Sequence, residues 1–241
     1  MKHSLYPLFA VLSLALAACF ATAADMVPLF DGKSLEGWEI KSGTASYKVE
    51  DGTIVGTTVE GSPNTFLCTK KTYGDFVLEF EVKCDPELNS GVQFRSESYD
   101  QDTEVEIEGK KRKHPAGRVF GYQVEIASNG NAGRVYDEAR RARWLETGKA
   151  PKDESPEEAA KATAAGRAAY KVDDWNQYRV IAQGDHIQTF INGTKIADFK
   201  DSMTAKGIIG LQVHGIKKDT GPYSVRWRNI KIRELKPGET P

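Results

Sequence analysis

The chain has 241 residues, 39% of them hydrophobic and 28% charged, with 33 Lys and Arg against 34 Asp and Glu. The formal net charge of -1 offers no basic field for nucleic acid and no acidic excess of the kind that keeps a chain unfolded. The 22 glycines and 10% aromatic residues suit a turn-rich, β-leaning globular protein and disfavour a coiled coil, a collagen-like rod or a multi-span membrane protein.

Met1-Lys2-His3 is a short basic start, and an apolar run follows from Leu5 to Ala18. This pattern reads as a secretory signal, too short and too poorly flanked to span a bilayer. Two cleavage readings stand side by side. Ala21-Thr22-Ala23 is a small-x-small site that leaves Ala24 first. Leu16-Ala17-Ala18-Cys19 resembles the bacterial lipobox, and a lipid on Cys19 would anchor the protein to a membrane without a spanning helix. The expected product is an exported protein, periplasmic, lipid-anchored or secreted. Residues 1–23 are the leader and residues 25–235 one domain, with a polar tail after it. Nothing in the pattern indicates an oligomeric state.

Strand signals dominate the rest. Asp51-Gly52 lies between Tyr47-Lys48-Val49 and Thr53-Ile54-Val55, a pair that suits a two-residue hairpin because both residues tolerate positive φ. Phe76, Leu78, Phe80 and Val82 alternate with polar neighbours, the period of a half-buried strand. Tyr99–Gly117 is charged, with Lys110-Lys111-Arg112-Lys113, and reads as a solvated excursion. Within Glu146–Lys171, Ser155-Pro156-Glu157-Glu158 is a helix start, with Ser at N-cap, Pro at N1 and acids in the first turn. One short surface helix closing near Gly166 is expected. Gly184-Asp185 and Asn192-Gly193 divide Trp175–Phe199 into a three-stranded meander. Val225 and Trp227 alternate with Arg226 and Arg228, with an irregularity at Asn229. About a dozen short strands and one minor helix imply an all-β sandwich or barrel. Cys68 and Cys84 read as small core or strand residues rather than a disulfide scaffold or zinc site.

Three strand-like segments carry polar residues that a plain wet face would not. In Asn89–Arg95, the residues Asn89, Gly91, Gln93 and Arg95 share one side, against Val92 and Phe94. In Gly121–Ile126, Gln123 and Glu125 oppose Tyr122, Val124 and Ile126. In Gly210–Gly215, Gln212 and His214 oppose Leu211 and Val213. If these strands are neighbours, Arg95, Gln123, Glu125, Gln212 and His214 converge on one concave surface. Arg134–Trp144, with Tyr136, Asp137 and Glu138, is a loop at its rim, and Trp144 is the aromatic best placed to stack on a sugar. No GxSxG, Walker or GxGxxG-helix motif occurs.

The order and spacing of these segments resemble the bacterial 3-keto-disaccharide hydrolase domain family. The resemblance runs from Val27-Pro28-Leu29-Phe30-Asp31-Gly32-Lys33-Ser34-Leu35-Glu36-Gly37-Trp38, through Asn89-Ser90-Gly91-Val92 and Gly121-Tyr122-Gln123-Val124-Glu125, to Gly210-Leu211-Gln212-Val213-His214-Gly215 and Arg226-Trp227-Arg228-Asn229-Ile230. It implies a concanavalin-like jelly roll of two curved antiparallel sheets, and it places strands near Leu29 and Val225–Ile232 side by side. The implied substrates are glycosides already oxidised at carbon 3, which lose the carbon 2 proton, expel the group on carbon 1 and add water. Such chemistry needs a base, an oxyanion stabiliser and an acid for the leaving oxygen, not a pair of carboxylates. His214 or Glu125 is the candidate base, Arg95 the enolate stabiliser, and Gln123, Gln212, Asn89, Tyr136, Asp137, Glu138 and Trp144 the candidate substrate contacts. No cofactor is assigned, and a divalent metal is possible. A divalent metal on His214, Glu125 and either Asp137 or Glu138 is a minority alternative to Arg95. A non-catalytic, lectin-like carbohydrate-binding module is the competing function.

Overall fold

The computed structural model describes residues 26–241, so the leader and Cys19 lie outside the described residues. Sixteen strands follow in chain order. The first eight are β1 (Val27–Pro28), β2 (Trp38–Lys41), β3 (Ser46–Glu50), β4 (Thr53–Thr57), β5 (Thr65–Thr69), β6 (Phe76–Cys84), β7 (Ser90–Ser98) and β8 (Thr103–Ile107). Then come β9 (Lys110–His114), β10 (Val119–Ile126), β11 (Val135–Glu138), helix α1 (Pro156–Ala169), β12 (Asn176–Gln183), β13 (His186–Ile191), β14 (Thr194–Lys200), β15 (Ile208–Val213) and β16 (Ser224–Glu234). An eight-stranded sheet has the order β14-β13-β12-β6-β16-β4-β3, with β1 also on β16, and a six-stranded sheet the order β11-β10-β7-β15-β5-β2. Every pairing between these strands is antiparallel. The two sheets form a jelly-roll sandwich.

The period-two pattern decides what each sheet buries. Leu78, Phe80 and Val82 from β6 and Tyr178 and Val180 from β12 meet Val92, Phe94, Val124 and Leu211 from the smaller sheet in one core. Phe80 and Tyr178 stack at 5.1 Å between ring centres, and Trp227 is fully buried. Two tyrosines bridge the layers with their hydroxyls. Tyr178 Oη donates to the Glu125 carbonyl (3.2 Å), and Tyr47 Oη reaches the carbonyls of Leu211 (2.7 Å) and Thr65 (2.9 Å). They fix β10 and β15 from behind, through backbone acceptors of the opposite layer.

The Asp51-Gly52, Gly184-Asp185 and Asn192-Gly193 turns join strands in two-residue hairpins. At Asn192 (φ 48°) and Gly193 (φ 82°) both central residues adopt the left-handed region that this turn requires. Asn229 (φ 53°) marks a register shift in β16 against β6, and Val27 and Pro28 pair with Ile232 and Lys231. Cys68 and Cys84 are free and buried, and burial pushes both thiols up to about 12. No helix among the described residues is long and apolar enough to cross a membrane.

One expectation gains detail and one needs correction. The solvated excursion of Tyr99–Gly117 is a largely exposed hairpin, in which β8 and β9 pair. Opposite charges face each other across that ladder, Glu104 against Lys113 and Glu106 against Lys111, and such cross-strand pairs favour pairing over solvation of each strand alone. Helix α1 has the expected Ser155 cap and a full capping box with Glu158, but it runs past Gly166 to Ala169. Gly166 is a point of close approach, not a terminator. A Cβ there would lie 2.5 Å from the Gly130 carbonyl oxygen and 2.7 Å from that of Ala132.

Helix propensity favours Ala over Gly by about 1 kcal/mol, whereas a backbone clash of this kind costs roughly 1–3 kcal/mol. Gly166→Ala is therefore expected to lower stability despite its helix preference. Urea unfolding checks this; a higher midpoint for the variant would show that the helix can move off the loop.

Candidate functional site

The three polar segments form consecutive strands. In the six-stranded sheet β10 lies on β7 and β7 on β15, with Gln123 opposite Gln93, Glu125 opposite Gly91, and Gly91 opposite Gln212. Because side chains alternate, the core takes Val92, Val124 and Leu211, and the other face of the sheet receives Gln93, Gln123, Glu125 and Gln212. Gly91 leaves a gap in this row. A Cβ there would sit 2.6 Å from Gln123 Cδ, so the Gln123 side chain occupies the space that a larger residue at 91 would fill.

The amides are aligned in one direction. Ser96 Oγ donates to Gln93 Oε1 (2.6 Å), Gln93 Nε2 to Gln123 Oε1 (2.9 Å), and Gln123 Nε2 to Glu125 Oε2 (3.1 Å). Asn89 Nδ2 donates to the other carboxyl oxygen, Oε1. Glu125 is 7% exposed. Burial penalises its ionised form, the amides favour that form, and nearby Glu138 opposes it. Burial prevails, and the carboxyl is pushed up from 4.5 to about 7.

His214 follows the end of β15 and is half-buried. Its Nδ1 lies 2.7 Å from the Gly215 carbonyl oxygen, which can only accept, so Nδ1 carries the hydrogen and the neutral ring keeps its lone pair on Nε2. Asn64 Oδ1 accepts from the Gly215 backbone N–H (3.0 Å), and Asn64 Nδ2 donates to Glu138 Oε1 (3.3 Å), which also accepts from Arg118 (2.8 Å). Asn64 thus ties the His214 turn to β11. No motif points to it, because Asn64 lies in the loop before β5, far from the other site residues in the chain.

Asn89, Gln123, Glu125, Tyr136, Glu138, Trp144, Gln212 and His214 line one pocket of about 190 Å³, closed on one side by Pro151. Gln212 is fully buried, and neither polar atom of its amide has a protein partner. A larger depression, about 390 Å³, lies on the outer face of the eight-stranded sheet, but its acid and base, Glu79 and Arg179, are paired with each other at 3.1 Å.

Two expected site residues are elsewhere. β7 carries a bulge after Phe94, where the register shifts against both neighbours and Arg95 takes φ 45°. The extra residue changes the phase of the strand, so Ser96 rather than Arg95 joins the face of Gln93. Arg95 is fully buried and bound to Asp75 (2.7 Å) and the carbonyls of Gly74 (2.8 Å) and Gly184 (2.7 Å). It pins two turns and does not line the pocket with Glu125 and His214. Asp137 alternates with Tyr136 and Glu138 on β11 and turns away from the pocket, where Arg140 Nε (2.8 Å) and Arg141 hold it. That removes Asp137 from the metal set envisaged with His214 and Glu125, and among the described residues no group of three or more His, Cys, Asp and Glu side chains is placed to hold a metal ion. Trp144 lines the pocket but is only 5% exposed, with Tyr136 edge-on at 5.1 Å and the Arg134 guanidinium stacked at 4.1 Å. It is a wall, not an open stacking platform.

The family described as the 3-keto-alpha-glucoside-1,2-lyase-like domain matches residues 25–233. The chain belongs to this family. No curated protein matches it. Among solved structures, a "putative glycosyl hydrolase" from Parabacteroides distasonis ATCC 8503 is 18% identical with a TM-score of 0.54, covering 89% of this chain and 95% of its own. Cellulose induced protein Cip1 is 13% identical with a TM-score of 0.51, covering 86% and 95%. At these identities the likeness is one of fold. Family and fold together make this a carbohydrate-related jelly-roll protein of the lyase-like family.

The raised carboxyl has a consequence for stability. Between 4.5 and about 7 the native Glu125 holds a proton that the unfolded chain has released. Stability therefore falls as pH rises through that window, by up to about 3 kcal/mol. Glu125→Gln removes the effect. Urea unfolding from pH 4 to 8 should show the wild type losing ground to the variant as pH rises, and a constant difference would mean an ordinary carboxyl.

Proposed function

We propose that this exported protein cleaves glycosides oxidised at carbon 3, with His214 and Glu125 moving the protons. The basic start and apolar run of the leader support export, and family membership supports the substrate class. The observation that carries the mechanism is the pairing, in one pocket, of an imidazole whose Nδ1 is tied off with a carboxyl pushed up to about 7. A base and an acid with separated environments are what the reaction requires.

A ketone at carbon 3 acidifies the hydrogen on carbon 2. His214 Nε2 takes that proton, and the C–H electron pair forms the enolate. The enolate re-forms the ketone as the bond from carbon 1 to the glycosidic oxygen breaks, and the departing oxygen takes the proton of Glu125. Water then adds across the C1–C2 double bond. Its oxygen bonds carbon 1, Glu125 recovers a proton from it, and His214 returns its proton to carbon 2. The sum is hydrolysis, with both residues restored. Gln212 replaces Arg95 as donor to the enolate oxygen, since its buried amide has no protein partner and a buried amide without one is costly. The lectin-like alternative keeps its architecture but loses Trp144 as an exposed stacking platform.

Turnover of a methyl 3-keto-glucoside by the purified protein tests the reading. Glu125→Gln and His214→Asn are each expected to lower kcat/KM by about 10²–10⁴-fold, the usual share of general acid–base catalysis. The wild-type profile should lose activity above about pH 7, where Glu125 gives up its proton. Full activity in a variant lacking both groups would remove this pocket from the chemistry.

A further inference from the structure

The pocket around Glu125 shares Trp144 and Pro151 with a second cleft, of about 360 Å³, between α1 and the loop that joins β10 to β11. The first pocket, about 190 Å³, is the smaller of the two. A glycoside has more to place, because the group on carbon 1 must lie beyond the ring. On the side of Trp144 and Pro151, what lies beyond is this cleft.

Its lining is of mixed character. Ala160 on α1 and Pro151 give a low apolar surface, and Asn129, Asn131 and Arg167 surround it with donors. The acceptors of the two asparagines are engaged, Asn129 Oδ1 by the Asn131 backbone N–H (3.0 Å) and Asn131 Oδ1 by Arg134 (3.2 Å). Their side-chain N–H groups, and the Arg167 guanidinium, have no protein partner among the described residues. The Arg167 side chain lies across Gly130, where a Cβ would come within 2.7 Å of its Cγ, so the missing side chain at 130 gives it passage. An apolar floor with free donors at its edge is complementary to a sugar ring, which presents apolar C–H faces and a rim of oxygens.

We propose that this cleft is the leaving-group subsite and takes the second sugar ring of an oxidised disaccharide, across the Trp144–Pro151 ridge from the ring that reacts. The inference rests on the reading of the first pocket as the site of the oxidised ring. In this arrangement the first pocket selects the ketone-bearing ring, and the cleft selects what is attached to it.

The test compares kcat/KM for a 3-keto-disaccharide with that for methyl 3-keto-glucoside, using the full chain and two variants, Ala160→Trp to fill the cleft and Arg167→Ala to remove its guanidinium. Both positions are exposed, so neither change should disturb folding. The disaccharide-to-methyl ratio is expected to fall about tenfold or more in Ala160→Trp and less in Arg167→Ala. An unchanged ratio in both variants overturns the subsite. If the wild type turns over neither compound, the catalytic reading fails on its own, and calorimetry with an intact, unoxidised disaccharide and its monosaccharide decides the cleft separately. Tighter binding of the disaccharide that Ala160→Trp abolishes supports the subsite; equal binding of the two sugars overturns it.

Discussion

A single buried carboxyl organises this protein's pocket. Glu125 is placed on a sheet face with too little water to ionise it comfortably, and amide donors on both of its oxygens keep it from being wholly neutral. The donors reach it only because Gly91 has no side chain and because Gln93, Gln123 and Ser96 are ordered head to tail across β7 and β10. The carboxyl in turn gives those amides a direction, since its two oxygens draw the N–H ends of Asn89 and Gln123. Charge balance, amide orientation and strand spacing are thus one constraint.

The sandwich supplies the rigidity for that constraint. Tyr178 and Tyr47 cross the core to bind the carbonyls of Glu125 and Leu211, holding the two pocket strands from the opposite layer. The rim is tied in the same way, by polar contacts with little freedom. Asp137 holds Arg140 and Arg141, Arg134 makes a two-point pair with Glu154 (3.1 and 2.6 Å), and Arg143 joins the β8–β9 hairpin through Glu108. Much of the charge that looks functional in the sequence serves to hold the walls in place. Buried pairs of this kind are intolerant of losing one member, because the other is left charged and unpaired.

The division between legible and illegible residues follows from strand geometry. Gln123, Glu125, Gln212 and His214 were legible because β10 and β15 are regular where those residues lie, and period two assigns their face without knowledge of the partner strand. Arg95 was misassigned because one bulge residue on β7 reverses the alternation after Phe94, and no local signal announces a bulge at a non-glycine position. The strand pairing within the charged stretch from Tyr99 was not legible, because its hairpin is stabilised by cross-strand charge pairs rather than an apolar face. Asn64 and Pro151 could not be found at all, since a loop residue's contribution depends on where the chain returns.

From the sequence alone came the all-β class, the hairpin turns, the capped helix and the polar faces of three strands, all features set within a few residues by side-chain alternation and backbone preference. The tertiary structure decided which strands are adjacent, that Arg95 and Asp137 serve as fasteners, that Trp144 is a partition, and that the carboxyl lies out of water. Those outcomes depend on contacts between segments distant in the chain, and burial, which sets the acidity of Glu125, is a property of the assembled layers rather than of any stretch of residues.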